Sequence, residues 1–393
     1  MNGDEYLERV RKLVPGFRER TALTERTPRL PDESWADFQR AELLRALQPA
    51  QWGGFELHPA AFYRAVMEVG AACPSTGWVL GVLGVHSWQL AAFPERAQQD
   101  VWGADSTVQA SSSYAPTGKI ERVEGGFKVS GRWSFSSGCD FCHWVILGGA
   151  TRNPDGTPDA RSYLLPRADY EIDDNWRVMG LSGSGSKDIV VSGAFVPEYR
   201  THKFLDAYNR DNPGQAVNPG ALYRLAWASV FAYAIAAPAV GAAMGALDCW
   251  REGSRARRTA YDHKMVAEDP FAQMRLAEAA SAVDAAGQRM LDTFDEMMRL
   301  AAEGREIGVA RRARLRWDAA NAVQLSVHAV DLMFESSGGR AIFQDNPIQR
   351  YFREVHAMRA HALNNPQRAG RTFAMADMGT FINERGFPAD IFV

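Results

Sequence analysis

The residues with the most chemical capacity are eight histidines, four cysteines and a set of serines close to aromatic residues. Their spacing narrows what they can do. A di-iron site on a helical bundle takes Glu-x-x-His pairs. No histidine here follows a glutamate at that spacing, and Asp140 stands three before His143 only in a strand-like stretch. His356 and His361 lie on one helical segment, but five residues is about 140° of helix rotation, so they share no ligand face. No metal site is expected. Cys139 and Cys142 form a C-x-x-C with no second pair at zinc spacing and no strand-then-helix pattern around it. With Cys73 and Cys249 they are too few for a disulfide framework, which fits a reducing cytoplasm.

Two glycines and a lysine in LSGSGSKD (181–188) bear a passing likeness to a phosphate-binding loop. The spacing is neither G-x-G-x-x-G nor that of a P-loop. It also leads into the strand-like DIVV, whereas a phosphate cradle leads into a helix. A β-hairpin turn is the expected role. Ser137 continues the parity of Trp133 and Phe135 in an alternating segment, provided no bulge intervenes. A hydroxyl buried on an aromatic face must find a partner. In PIQRYFREVHAMRAHALNNP (347–366), Glu354 and His361 are seven apart, which on a continuous helix puts carboxylate and imidazole on one face.

Three stretches of different texture must position these groups. Residues 1–106 read as helices: ESWADFQRAELLRAL and HPAAFYRAVMEVGAAC repeat apolar residues at three- and four-residue spacing, with QWGG as a turn between them. Residues 107–222 read as antiparallel strands. In GGFKVSGRWSFSSG, Phe127, Val129, Trp133 and Phe135 are expected on one face, and Lys128, Ser130, Arg132 and Ser134 on the other. Residues 223–393 are helical again, with two long alanine-rich amphipathic segments, C-cap glycines at 338 and 339, and a tail, GFPADIFV, expected to dock. The fold class is thus α+β, with a helical N-terminal domain, a middle antiparallel β domain and a C-terminal four-helix bundle.

Composition excludes several functions. With 46% hydrophobic and 23% charged residues and a net charge of −3, the chain has a globular balance and no basic patch for nucleic acid. MNGDEYLERVRKLVPG has no apolar signal core. The uncharged run Leu225 to Leu247 is long enough to span a bilayer, but alanine and Pro238 favour a buried helix, so no membrane partner is expected.

Taken together, LQPAQWGG, STGWVLGVLGVHSWQLAAF, SSSYAPTG, GRWSFSSGCD, GLSGSGSKDIVV, DPFAQMRLAEAA and NPIQRYFREVHAMRAHALNNP resemble the acyl-CoA dehydrogenase superfamily. The resemblance is to its two-component flavin-dependent monooxygenase branch, and within that to the phenolic seco-steroid and hydroxyphenylacetate hydroxylases. It runs from about Leu44 to Val393. It implies reduced FAD or FMN from a separate NAD(P)H:flavin reductase, O2 as co-substrate, a C4a-hydroperoxyflavin, a small phenolic or polycyclic aromatic substrate and a homotetramer. It implies that Ser137 bonds flavin N5, that His361 is the catalytic base, that His86, Ser112 and Tyr114 line the substrate pocket, and that Trp133 walls both substrate and flavin. It matches Arg258 and Tyr261 to a flavin-phosphate motif, and Gly338, Gly339 and Arg350 to a segment near a neighbouring subunit's flavin. Where the dehydrogenases carry their carboxylate base beyond Arg353, this chain has none, and His361 stands near that slot. That loss argues against dehydrogenation of acyl thioesters, whose α-proton needs such a base, so an acyl-CoA dehydrogenase or oxidase stands as the alternative, as does oxygenation of sulfur or nitrogen on the same fold.

Overall fold

The computed structural model describes residues 1–259 and 263–381. Six helices come first: α1 (Gly3–Glu19), α2 (Thr21–Arg26), α3 (Asp32–Arg40), α4 (Pro59–Ala72), α5 (Pro74–Leu90) and α6 (Glu95–Trp102). Eight strands follow: β1 (Ala110–Ser113), β2 (Lys119–Val123), β3 (Gly126–Ser136), β4 (Trp144–Arg152), β5 (Pro158–Pro166), β6 (Glu171–Asp173), β7 (Lys187–Pro197) and β8 (Thr201–Lys203). The chain then forms α7 (Phe204–Asn209), α8 (Trp227–Ser254), α9 (Pro270–Ala302), α10 (Val309–Ser336), α11 (Pro347–Arg359) and α12 (Pro366–Asp377).

The helical layers meet on α5 and α8, both apolar nearly all round, as helices enclosed on every side must be. Every residue of α5 is buried. Glycine lets it approach its neighbours: a Cβ on Gly81 would stand 2.7 Å from the Ala234 carbonyl oxygen on α8, and one on Gly77 would meet Gly70 of α4 at 2.6 Å. α8 is the one described helix long and apolar enough to cross a membrane, and 94% of its most apolar window is buried inside the chain. It packs against α4, α5, α9, α10 and α11.

The strands form two four-stranded sheets, ordered β1-β4-β5-β8 and β2-β3-β7-β6. Phe127, Val129, Trp133, Val145, Leu147, Tyr163, Leu165, Ile189 and Val191 fill the space between them. Pairing is antiparallel throughout except for β1 with β4, which is parallel, so the wholly antiparallel expectation is corrected at one edge. A second correction concerns the segment ESWADFQRAELLRAL. Its helix stops at Arg40, Glu42 adopts φ +57°, and a 3-10 turn over Leu43–Arg45 follows. The tail from residue 382 onward, including GFPADIFV, lies outside the described residues.

Candidate functional site

Ser137 reaches its position through an irregularity at the end of β3. β3 pairs with β7 as far as Trp133 opposite Ile189, then shifts register before Ser136 meets Lys187. Between these pairs Phe135 takes φ +70° and is 68% exposed. The expected parity therefore fails at Phe135: the bulge turns it outward and brings Ser136 and Ser137 inward. The Ser137 hydroxyl accepts from Trp78 Nε1 at 3.0 Å and lies 2.7 Å from the Ser186 hydroxyl. Ser186 lies 2.7 Å from Ser184, whose hydroxyl donates to the Leu181 carbonyl at 2.7 Å.

That places LSGSGS in the site, within a hairpin connection as expected, but one far longer than a tight turn. It is the inward apex of the long connection from β6 to β7, with Leu181 and Gly185 in the left-handed region around a 3-10 turn. The Gly138 amide donates to the Ser184 carbonyl at 2.8 Å, and Lys187 Nζ bonds Asp140 Oδ1 at 2.7 Å, so the two loops are tied together. The neighbouring thiols serve the same packing. Cys139 lies 3.6 Å from the Gly185 carbonyl and Cys142 lies 3.4 Å from that of Gly138. Burial pushes the Cys139 thiol up to about 12 and raises that of Cys142, which makes both poor nucleophiles.

His361 does not share a helical face with Glu354 as expected. α11 ends at Arg359, and His361 has extended backbone and caps the following 3-10 turn. Its Nδ1 accepts from the Leu363 amide at 3.1 Å. A neutral ring bonded this way carries its proton on Nε2. Burial, with a smaller contribution from the Arg316 charge, lowers its pKa to about 4. The ring lies edge-on to Trp78 with centroids 5.8 Å apart. Trp78 thus touches both Ser137 and His361. One turn earlier on α5, the Ser75 hydroxyl donates to the buried Glu354 carboxyl at 2.8 Å, and burial raises the pKa of that carboxyl.

A second polar group sits further along α5. His86 Nδ1 lies 2.8 Å from the Ala110 carbonyl, and Nε2 lies 2.8 Å from the Ser112 hydroxyl. A carbonyl only accepts, so Nδ1 carries the hydrogen and bare Nε2 accepts from Ser112. Burial lowers the His86 pKa to about 4, which keeps it neutral. Ser112 and Tyr114 are partly exposed, and the Tyr114 hydroxyl donates to Gln89 Oε1. Phe231 and Trp227 of α8 complete an aromatic wall, stacked on each other at 4.5 Å and edge-on to Tyr114 at 5.2 and 5.3 Å.

The remaining expected residues lie elsewhere. Trp133 is corrected: its indole is fully buried between the sheets and donates to the Gly148 carbonyl at 2.8 Å, so it lines no pocket. Gly338 and Gly339 are exposed beyond α10. Arg257, next to Arg258 in the chain, bonds the Ser336 and Ser337 carbonyls, and Arg258 itself bonds the His263 carbonyl at 2.7 Å. Arg350 is held within the chain by Glu25 at 2.9 Å. Tyr261 lies outside the described residues. Among the described residues no His, Cys, Asp and Glu side chains converge as metal ligands. Sequence reasoning missed Trp78, Ser184, Ser186, Trp227 and Phe231. Trp78 and the α8 aromatics sit in apolar runs that look like plain core, and the serines in a loop read as a turn.

Two family models match the chain: the acyl-CoA dehydrogenase N-terminal domain over residues 5–106 and the acyl-CoA dehydrogenase C-terminal domain over residues 233–366. The chain is 42% identical over 380 residues to the flavin-dependent monooxygenase oxygenase subunit HsaA of Rhodococcus jostii, covering 96% of this chain and 99% of that one. It is 34% identical over 382 residues to the oxygenase component of an FADH2-dependent resorcinol hydroxylase from Rhizobium, covering 94% and 93%. The crystal structure of HsaA monooxygenase from Mycobacterium tuberculosis superposes with a TM-score of 0.93 at 40% identity, covering 100% of both chains.

Proposed function

The chain belongs to the acyl-CoA dehydrogenase superfamily as the oxygenase component of a two-component, flavin-dependent aromatic monooxygenase, and we propose that its substrate is a phenol bound between the Ser112–His86 pair and His361. Reduced flavin, FADH2 or FMNH2 delivered by a reductase, supplies with O2 the electrophilic oxygen. The residues around Ser137 suit such a group. The hydroxyl oxygen is buried beside an indole and keeps a lone pair for an N–H of the ring system, and the surrounding loops exclude water.

The observation that carries the phenol reading is the direction of the Ser112–His86 bond. Because Ser112 gives its hydrogen to His86, its oxygen offers a lone pair to a phenolic O–H. The phenolic proton moves to Ser112 Oγ as the Ser112 proton moves to His86 Nε2. A phenolate formed alongside raises the pKa of His86, opposing the burial that lowers it in the empty pocket. His361, the base that the family resemblance implies, has Nδ1 occupied by the Leu363 amide and presents Nε2–H. It donates to the phenolate oxygen and orients the ring, so that the carbon ortho to that oxygen takes up the new hydroxyl. Tyr114, Phe231 and Trp227 give the flat faces that hold an aromatic substrate.

Arg258, Gly338 and Gly339 belong in this reading to a neighbouring subunit's flavin in a homotetramer. A groove of about 540 Å³ between α4, α8 and α9 has an apolar floor of Met67, Val240, Met244, Val283 and Leu291 rimmed by Arg64, Glu68, Asp284 and Gln288, a surface on which a neighbouring subunit packs in this reading. A cytoplasmic location accords with four free cysteines.

The test is product analysis with a generic flavin reductase, NADH and either flavin, over a panel of phenols, indoles and sulfur heterocycles. Catechol-type products from phenols are the expected outcome. Oxygenation confined to ring sulfur or nitrogen would overturn the phenol assignment.

A further inference from the structure

We propose that Ser184 and Ser186 fix the hydrogen-bond polarity of Ser137, and so make the site favour reduced over oxidised flavin. This rests on the reading above in which Ser137 meets flavin N5. It concerns the direction of the Ser137 proton, which two residues outside that contact decide.

The direction follows from three short contacts. Ser184 Oγ lies 2.7 Å from the Leu181 carbonyl oxygen, and a carbonyl has no proton to give, so the Ser184 hydrogen lies between them. Ser184 and Ser186 are 2.7 Å apart, and with the Ser184 hydrogen already committed, the hydrogen in this contact belongs to Ser186. Ser186 and Ser137 are also 2.7 Å apart, and by the same reasoning this hydrogen belongs to Ser137. Two oxygens at that distance with no hydrogen between them would set lone pair against lone pair. All three hydroxyls are buried, at 8% exposure for Ser137, 4% for Ser186 and 1% for Ser184, so water does not reshuffle the chain.

Ser137 Oγ therefore gives its proton inward and receives the Trp78 indole N–H at 3.0 Å. What remains for a ligand is a lone pair. Reduced flavin carries a hydrogen on N5 and donates to that lone pair. Oxidised flavin has a lone pair of its own at N5, so the two acceptors face each other. Ser184 and Ser186 are positioning residues: they touch neither flavin nor substrate, and act by holding the proton of Ser137.

The experiment measures dissociation constants for oxidised FMN and FAD by fluorescence titration, and for the reduced flavins anaerobically, in the parent protein and four variants. In Ser186→Ala, Ser137 loses its inward acceptor and is free to turn its proton toward N5. The ratio of oxidised to reduced dissociation constants should fall about tenfold, the worth of one hydrogen bond gained and one lost. Ser184→Ala lets Ser186 donate to Ser137 and should shift the ratio the same way without touching Ser137. Ser186→Thr keeps the hydroxyl and should restore the parental ratio. If Ser137→Ala abolishes the preference while Ser186→Ala and Ser184→Ala leave it at the parental value, the relay is wrong and the N5 contact stands. If Ser137→Ala leaves the preference unchanged, the N5 contact itself is wrong and the relay falls with it.

Discussion

Trp78 donates from its indole nitrogen to the Ser137 hydroxyl at 3.0 Å, while its ring stands edge-on to His361 with centroids 5.8 Å apart. One side chain of a fully buried helix thus sets the spacing between the proposed flavin contact and the proposed substrate contact. It does so from the layer that α5 forms with α4 and α8, where glycines hold the backbones too close to yield.

Trp78→Phe removes the N–H and keeps most of the ring. Losing one neutral hydrogen bond costs about 1 kcal/mol, or about fivefold in a ratio of rates. The expected result is about fivefold more hydrogen peroxide per product, with folding intact. Peroxide and product are quantified together against oxygen consumed. Trp78→Ala also leaves a cavity and should lose about 3–5 kcal/mol of stability, seen as a lower urea midpoint. Unchanged coupling in Trp78→Phe would show that the indole N–H does not position Ser137.

The two histidines of the site have opposite tautomers, and this separates their roles. His86 is bare at Nε2 and His361 is bonded at Nδ1. His361→Gln keeps an N–H donor and should retain more hydroxylation than His361→Ala, which loses the donor to the phenolate oxygen and should fall about a hundredfold or more. Were His361 the base instead, both variants would be equally inactive. His86→Asn and Ser112→Ala should raise the pH needed for turnover, because phenol must then ionise without help. Turnover against pH with a saturating phenol checks this.

Much of the fold could be read from sequence because periodicity reports burial, and the long helices and strands bury a single face or stripe. The exceptions have local causes. The left-handed Glu42 and the bulge at Phe135 each break a period within two residues, and no propensity of Glu or Phe announces a positive φ. Ser137 and His361 were found, but their partners were not. Trp78 sits in an apolar run where a polar N–H carries no signal, and the link from Ser137 to Ser186 spans 49 residues. Seven-residue spacing puts His361 on the face of Glu354 only on a continuous helix, yet α11 ends at Arg359, and His361 and Asn365 cap new turns instead. Trp133 belongs to a matching motif, but its parity on β3 sends it into the sheet core.

Buried neutral histidines tie stability to pH. His86 and His202 are both 2% exposed, and burial lowers the pKa of each to about 4. The folded value lies below the unfolded value of about 6.5, so the unfolded chain binds protons first. Their contribution is complete above pH 6.5 and is lost as pH falls toward 4, by up to about 3 kcal/mol for each group. Glu354 works in the opposite sense, because its raised carboxyl takes up a proton in the folded state. Urea midpoints at pH 7.5 and pH 5 should fall with acidification, and His202→Gln should lessen the fall. An equal fall in His202→Gln would exclude this histidine as a source.

The ion pair between Lys187 and Asp140 is a structural clamp on the serine relay. Lys187 Nζ lies 2.7 Å from Asp140 Oδ1 and 3.6 Å from Asp174 Oδ2, with the lysine side chain 6% exposed. It fastens the first residue of β7, next to Ser186, to the 3-10 turn that follows Ser137 and Gly138. Lys187→Met leaves the largely buried Asp140 carboxylate without its cation, and one buried Asp140 oxygen already has no hydrogen-bond partner. Breaking a buried pair from one side costs about 3–5 kcal/mol, whereas replacing both partners by apolar groups costs much less. Lys187→Met alone should therefore unfold at clearly lower urea and release more peroxide. Lys187→Met combined with Asp140→Leu should recover most of the stability. If the double variant is as unstable as the single one, the pair does more than neutralise charge; if the single variant loses under about 1 kcal/mol, the pair behaves like an exposed surface bridge and does not clamp the relay.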